Sequence, residues 1–173
     1  TGQDTASYRD ATGPVTVDLT TGFASGSLGS DFLDEVENLE GGPGADRLTG
    51  DGLGNWLGGR LGNDRLYGQG GDDRLFGQGG DDLLEGGFGN DRLDGSTGTD
   101  KVSYFNEGGP LAVTIDLARG VATRGGETDR LIDVEHADGT NNADLLQGDA
   151  GANALGGAGG ADRVMGRAGN DTL

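Results

Sequence analysis

The chain has no cysteine, one histidine, one tryptophan, one methionine and three prolines in 173 residues. Without thiols there is no disulfide framework and no thiolate metal site, and a lone His136 cannot assemble a zinc cluster. Basic residues are scarce too: 12 Lys and Arg stand against 30 Asp and Glu, a formal net charge of -18. Nucleic acid and anionic membranes need a positive footprint, so neither is expected as a partner. No apolar run approaches the roughly 20 residues that span a bilayer, so no membrane insertion is expected, and no signal-peptide pattern opens the chain at Thr1. Hydrophobic residues make up 32%, little material for a packed globular core.

Glycine is what the chain has in excess, 39 residues in all. Fixing glycine costs more backbone entropy than fixing any other residue, and low hydrophobicity with high net charge is the composition of a disordered chain. The order of the residues argues the opposite. Eleven nine-residue copies begin at Gly41, Gly50, Gly59, Gly68, Gly77, Gly86 and Gly95 and, after a break, at Gly139, Gly148, Gly157 and Gly166. Their sixth position reads Asp46, Asn55, Asp64, Asp73, Asp82, Asp91, Asp100, then Asp144, Asn153, Asp162, Asp171. Their eighth is leucine or valine throughout, from Leu48 to Leu173.

The break repeats the beginning of the chain. Val15-Thr16-Val17-Asp18-Leu19 returns as Val113-Thr114-Ile115-Asp116-Leu117, and Val36-Glu37-Asn38 as Val134-Glu135-His136, at a constant offset of 98. The chain therefore reads as two tandem units: a strand-rich segment over 1–40 and an array of seven nonapeptides over 41–103, then a second segment over 104–138 and an array of four over 139–173. Leu173 is the eighth residue of an unfinished copy, so the chain is expected to be a piece of a longer array.

Within each copy six residues are turn chemistry and three, as in Leu83-Leu84-Glu85, suffice for one short strand. Glycine density excludes helix. Alternation sends the eighth residue inward, and stacking lines up a thin apolar interior that no single repeat could bury. Val15, Val17 and Leu19 alternate with polar residues, as do Val113 and Ile115, so the flanking segments are expected to be half-buried strands that continue or cap the same solenoid. The fold class is all-β.

Calcium is a hard cation that takes six to eight oxygens from carboxylates and backbone carbonyls. A glycine-rich turn ending in aspartate supplies both kinds. Glycine at the first and fourth positions is expected to open conformations closed to other residues and expose carbonyls, while the sixth-position side chain adds charge. One turn offers too few ligands; two stacked turns complete a shell, so an ion would bind coil to coil. The candidate ligands are the eleven sixth-position side chains with the carbonyls of Gly41, Gly44, Gly59, Gly62, Gly68, Gly71, Gly77, Gly80, Gly86, Gly89, Gly157 and Gly160.

The nonapeptides resemble those of the repeats-in-toxin (RTX) family of hemolysin-type calcium-binding proteins. Gly86-Gly87-Phe88-Gly89-Asn90-Asp91-Arg92-Leu93-Asp94 and Gly41-Gly42-Pro43-Gly44-Ala45-Asp46-Arg47-Leu48-Thr49 match its GGxGxDxUx pattern at every fixed position. The resemblance implies a parallel β-roll with two nonapeptides per turn and several calcium ions, nominally about seven, held between turns. It pairs Asp46 with Asp64, Asp64 with Asp82, Asp82 with Asp100, Asp73 with Asp91, Asn55 with Asp73, Asp144 with Asp162 and Asn153 with Asp171. Asn55 and Asn153 lack charge, Leu53 and Asn142 replace the fourth glycine, and Asp51, Arg60, Gln69 and Gln78 replace the second, so the array starts are the weakest candidates. Seven ions would carry about +14 and take the net charge from -18 to about -4, removing most of the self-repulsion.

An acidic turn with ordinary Asx capping would account for one copy, not for eleven in register. Adjacent acids such as Asp72-Asp73 and Asp81-Asp82 could in principle do glycosidic acid and base work, but a catalytic pair needs one special environment and these recur along a rod. No enzymatic activity is expected. Arg65, Arg74 and Arg92 should point outward, with Trp56, Arg74 and Arg92 on one face as a candidate cation–π stack, and Tyr67 and Phe76 should also face out. His136 stands where the first unit has Asn38 and reads as a strand-end residue.

The residues themselves lead only to the calcium chemistry; with the resemblance, the first expectation is a calcium-binding module of a secreted bacterial protein, disordered at low calcium and folding outside the cell, and the resemblance implies type I secretion. The alternatives are a structural or adhesive cell-surface or matrix element that self-associates, or the non-catalytic part of a secreted hydrolase or epimerase whose covalently linked domain lies outside this stretch.

Overall fold

A computed structural model describes residues 2–106 and 109–173. Every regular element among them is a β-strand. The first segment contributes β1 (Thr5–Ser7), β2 (Val15–Asp18), β3 (Phe23–Gly26), β4 (Gly29–Phe32) and β5 (Asn38–Glu40). The first array adds β6 (Arg47–Thr49), β7 (Trp56–Leu61), β8 (Arg65–Gly70), β9 (Arg74–Gly79), β10 (Leu83–Phe88), β11 (Arg92–Thr97) and β12 (Lys101–Ser103). The second unit supplies β13 (Thr114–Asp116), β14 (Val121–Arg124), β15 (Glu127–Ile132), β16 (His136–Asp138), β17 (Leu145–Gln147), β18 (Ala154–Gly156) and β19 (Arg163–Met165).

Successive array strands alternate between two sheets. One runs β1-β5-β7-β9-β11-β15-β14-β13-β17-β19 and the other β18-β16-β12-β10-β8-β6-β2-β3-β4. Each array strand pairs in parallel with the strand two repeats away, as in Leu84 beside Leu66 and Leu93 beside Leu75. This is a parallel β-roll with two nonapeptides per coil. Between its sheets the eighth-position side chains form single files: Leu48, Leu57, Leu66, Leu75, Leu84, Leu93 and Val102 are 0% exposed. Full burial of such a side chain stabilises by about 1.5–3 kcal/mol, enough that the file substitutes for a globular core.

Strands in the middle of the first array are twice the expected length. β7 to β11 each hold six residues, running from the seventh position of one copy through the third of the next. The glycine-rich start stays extended because its backbone still finds partners one coil away, as in Gly87 beside Gln69. The ladder bends there through a left-handed residue at the second position, at Arg60 (φ 82), Gln69 (φ 78), Gln78 (φ 75) and Ser96 (φ 71).

The flanking segments do continue the roll, but with antiparallel insertions that periodicity alone does not reveal. β2, β3 and β4 form an antiparallel meander, as do β13, β14 and β15. The second meander fits into one sheet between β11 and β17, both neighbours parallel to it. In the other sheet β16 alone bridges β12 and β18. On the outer face the cation–π stack runs through Phe76 rather than through Trp56 and Arg74. The Phe76 ring lies 5.9 Å from that of Trp56 and 5.5 Å from the Arg92 guanidinium, while Arg47 covers Tyr67 at 4.1 Å.

Candidate metal centres

Each sixth-position side chain sits where the turn re-enters the strand, and the seven carboxylates of Asp64, Asp73, Asp82, Asp91, Asp100, Asp162 and Asp171 reach the sixth-position N–H one coil below. The backbone N–H of Asp46 donates to Asp64 Oδ1 (2.7 Å), that of Asp64 to Asp82 (2.7 Å) and that of Asp82 to Asp100 (2.8 Å). On the opposite edge Asn55 donates to Asp73 (2.7 Å) and Asp73 to Asp91 (2.9 Å). The second array repeats the link from Asp144 to Asp162 and from Asn153 to Asp171, both at 3.0 Å. All seven pairs implied by the resemblance are thus brought together.

The second carboxylate oxygen divides the copies into two kinds. In Asp64, Asp73, Asp82, Asp91 and Asp100 it is buried with no hydrogen-bond partner. A buried, unpaired anionic oxygen is costly unless a positive charge meets it. Burial accordingly pushes Asp64, Asp73 and Asp91 up to about 7 and Asp100 to about 6, with neighbouring carboxylates adding to the rise. Asp82 is raised by the same burial.

At the array starts the oxygen is already satisfied within its own turn. Gly42 N–H donates to Asp46 Oδ2 and Thr140 N–H to Asp144 Oδ2, each at 2.6 Å. Asp51 and Asp149 N–H donate to the side-chain oxygens of Asn55 and Asn153, each at 2.8 Å. The two asparagines go further. Asn55 Nδ2 donates to the Glu37 carbonyl (2.8 Å) and Asn153 Nδ2 to the Glu135 carbonyl (2.9 Å), so an amide group supplies locally the donors that a cation would otherwise replace. Asp162 and Asp171 lie at the end of the roll and are only half-buried.

The turns are shaped around these carboxylates. Left-handed backbone falls at the second and fourth positions, not at the first as expected: Gly62, Gly71, Gly80 and Gly89 have φ between 98 and 133, while Gly59, Gly68 and Gly77 are not left-handed. The first glycine is needed for room instead. A β-carbon at Gly77 would collide with Asp82 Oδ2, and one at Gly41 would come within 2.7 Å of the Gly59 carbonyl. The fourth-position carbonyls of Gly44, Gly62, Gly71 and Gly80 lie against the next turn's glycine, and the first-position carbonyls of Gly59, Gly68, Gly77 and Gly86 against the turn one coil before. Among the described residues no three His, Cys, Asp or Glu side chains converge. A cation at this stack would therefore draw backbone oxygens beside its carboxylates, and the donor set present is the one a hard divalent ion prefers.

Members of the stack that the nonapeptide pattern does not flag lie in the flanking segments. Asp100 N–H donates to Glu135 Oε2 and Asp4 N–H to Glu37 Oε2, both at 2.8 Å, and Asp91 N–H to Asp129 Oδ1 at 2.9 Å. Glu37 and Glu135 each stand two residues before a buried Leu39 or Ala137, the same spacing as sixth to eighth, and that spacing is the signal that could have found them. His136 is a strand residue whose Nδ1 accepts from Ala154 N–H (2.9 Å), as Asn38 Oδ1 accepts from Trp56 N–H (3.0 Å).

A family model described as RTX calcium-binding nonapeptide repeat (4 copies) matches at residues 34–66, 49–84, 67–102 and 138–173. No curated protein matches the chain.

Proposed function

The chain belongs to the RTX calcium-binding nonapeptide repeat family and is a calcium-binding β-roll module; on that footing we propose that its ions sit on the two turn edges, one built on Asp64, Asp82 and Asp100 and the other on Asp73 and Asp91. The observation that carries this assignment is the set of five buried carboxylate oxygens without a partner. Calcium bound there supplies the positive charge and the demand for carbonyl oxygens that these turns are built to meet. Asp46, Asn55, Asp144 and Asn153 act as metal-free starter turns, closed by their own hydrogen bonds. Asp162 and Asp171 bind once the end of the roll is covered.

The module works by coupling folding to calcium rather than by catalysis. At micromolar calcium the acidic chain repels itself and stays open; at the millimolar calcium outside a cell it closes into the roll. That behaviour suits a bacterial protein exported unfolded by a type I route, with the roll serving as a folding aid and spacer for its parent.

Calorimetric calcium titration of the Asp82→Asn and Asp46→Asn variants tests the assignment. Asp82→Asn should bind fewer ions and need about tenfold more calcium to fold, whereas Asp46→Asn should bind the wild-type number. Equal loss of bound ions in the two would contradict it.

A further inference from the structure

On one edge of the first array the run of stacked side chains does not stop at the last nonapeptide. Asn55, Asp73 and Asp91 are followed by Asp129, which enters from the inserted meander. Arg92 lies beside Arg130 and Leu93 beside Leu131, so Asp129 precedes the buried Leu131 by two residues as Asp91 precedes Leu93. Asp129 Oδ1 accepts the Asp91 N–H at 2.9 Å, as Asp91 Oδ1 accepts that of Asp73. Asp129 thus holds the sixth-position place one coil on, and it is 6% exposed.

Its second oxygen is met differently. Asp91 Oδ2 is buried with no partner, whereas Asp129 Oδ2 accepts the Tyr104 hydroxyl at 2.7 Å. Tyr104 follows β12 in one sheet, with its N–H bonded to the Asp138 carbonyl (3.0 Å), and its buried side chain reaches across the core to β15 in the other. A phenol that donates to a carboxylate at this length makes a charge-assisted bond, roughly twice as strong as one between neutral groups. Arg124, 5% exposed on the strand paired with β15, supplies a fixed positive charge that acts on the same carboxylate. The protein therefore provides here both the contact and the charge that Asp91 lacks.

The pair belongs to the repeated unit and not to one turn alone. In the first unit the Tyr8 hydroxyl donates to Asp31 Oδ2 at 3.3 Å, from the corresponding places in the sequence.

We propose that Tyr104 takes the place of a calcium ion at Asp129 and so ends the ion stack on this edge. The other end of the same edge is closed by Asn55, whose amide donates to the Glu37 carbonyl. Between these two closures stand Asp73 and Asp91, each with a partnerless oxygen. The capacity of the edge is thus fixed by protein groups at both of its ends, and Tyr104 is the positioning residue that decides where it stops. The inference rests on the edge assignment proposed above.

Calorimetric calcium titration of the full chain counts the ions, with circular dichroism in saturating calcium as the check on folding. Asp91→Asn should bind fewer ions than wild type, and Asp129→Asn the wild-type number. Tyr104→Phe, which strips the donor and keeps the ring, should bind one more, because Asp129 Oδ2 then stands as Asp91 Oδ2 does. A lost ion in Asp129→Asn overturns the proposal. So does a wild-type count in a folded Tyr104→Phe, which would assign the exclusion to the Gly125-Gly126 hairpin that feeds β15 instead of to the hydroxyl. Should Tyr104→Phe not fold, the Asp129→Asn count decides alone. If Asp91→Asn also keeps every ion, the edge assignment fails and takes this inference with it.

Discussion

The backbone N–H of Asp64 is held by one oxygen of Asp82 at 2.7 Å, and the other oxygen of Asp82 is buried with no partner. The first contact sets the register of two coils; the second leaves a charge that the protein alone does not neutralise. On the proposed assignment a structural and an ion-binding role meet in one carboxylate, and the same pairing of one bonded and one partnerless oxygen recurs at Asp64, Asp73, Asp91 and Asp100.

Protons should compete with calcium for these oxygens. Burial first, and neighbouring carboxylates second, raise Asp64, Asp73 and Asp91 from 3.8 to about 7 in the folded chain. A raised folded pKa means the folded state holds more protons than the unfolded one. The stability these groups contribute is complete below the unfolded value near 4 and is lost as pH rises through about 7. In chelator the β signal should therefore grow as pH is lowered from about 7.5 to 5, and calcium uptake at neutral pH should release protons, read from the buffer dependence of the binding enthalpy. A metal-free β signal that falls on acidification to pH 5 would count against burial as the cause.

Asn55→Asp should exchange a built-in donor for an ion site. The variant loses the Nδ2 bonds to the Glu37 carbonyl and to Asp51 Oδ1, and sets a carboxylate against both acceptors. A loss of about 1–3 kcal/mol is expected in chelator, partly recovered in calcium with one more ion bound. Urea unfolding in the two conditions reads the difference.

Gln69→Gly should stabilise the roll by about 1 kcal/mol, because a non-glycine residue in left-handed backbone costs about 1–2 kcal/mol and glycine returns part of that as chain entropy. Gln69 is exposed with φ 78, so no packing is lost. Gln69→Val should act in the opposite direction. Thermal melts in saturating calcium distinguish the two.

Leu75→Ala opens the file where it is one side chain thick, between Leu57 and Leu93. A cost of about 2–5 kcal/mol follows from the lost burial and the cavity left, and the calcium midpoint for folding should rise with it although no ligand is touched.

How much of this the sequence reveals depends on where the period is intact. From Gly41 to Ser103 the nine-residue spacing yields the buried Leu48 to Val102 file and, with the family resemblance, the pairing of each Asp with the one two copies on. The period does not describe backbone hand: the glycines point to the first and fourth positions, whereas Arg60, Gln69 and Gln78 adopt left-handed backbone at the second without glycine. Nor does it distinguish Asp46 from Asp64, since the difference is a single N–H, that of Gly42, turned toward the carboxylate. Outside the arrays, Glu37 and Glu135 take the sixth-position role with one more methylene and no glycine around them, so the motif misses them. The meanders elude it for another reason. Alternation identifies Val15, Val17 and Ile115 as strand residues but does not say whether the next strand runs parallel or back.

The central claim is that calcium neutralises the orphaned carboxylates and so drives the fold. A circular dichroism titration beginning in chelator, with magnesium as control, tests it most directly. The account predicts a cooperative gain of β signal with calcium that magnesium does not reproduce, and its loss on adding chelator back. A chain fully folded in chelator at neutral pH, or one that stays unfolded at millimolar calcium, would contradict it.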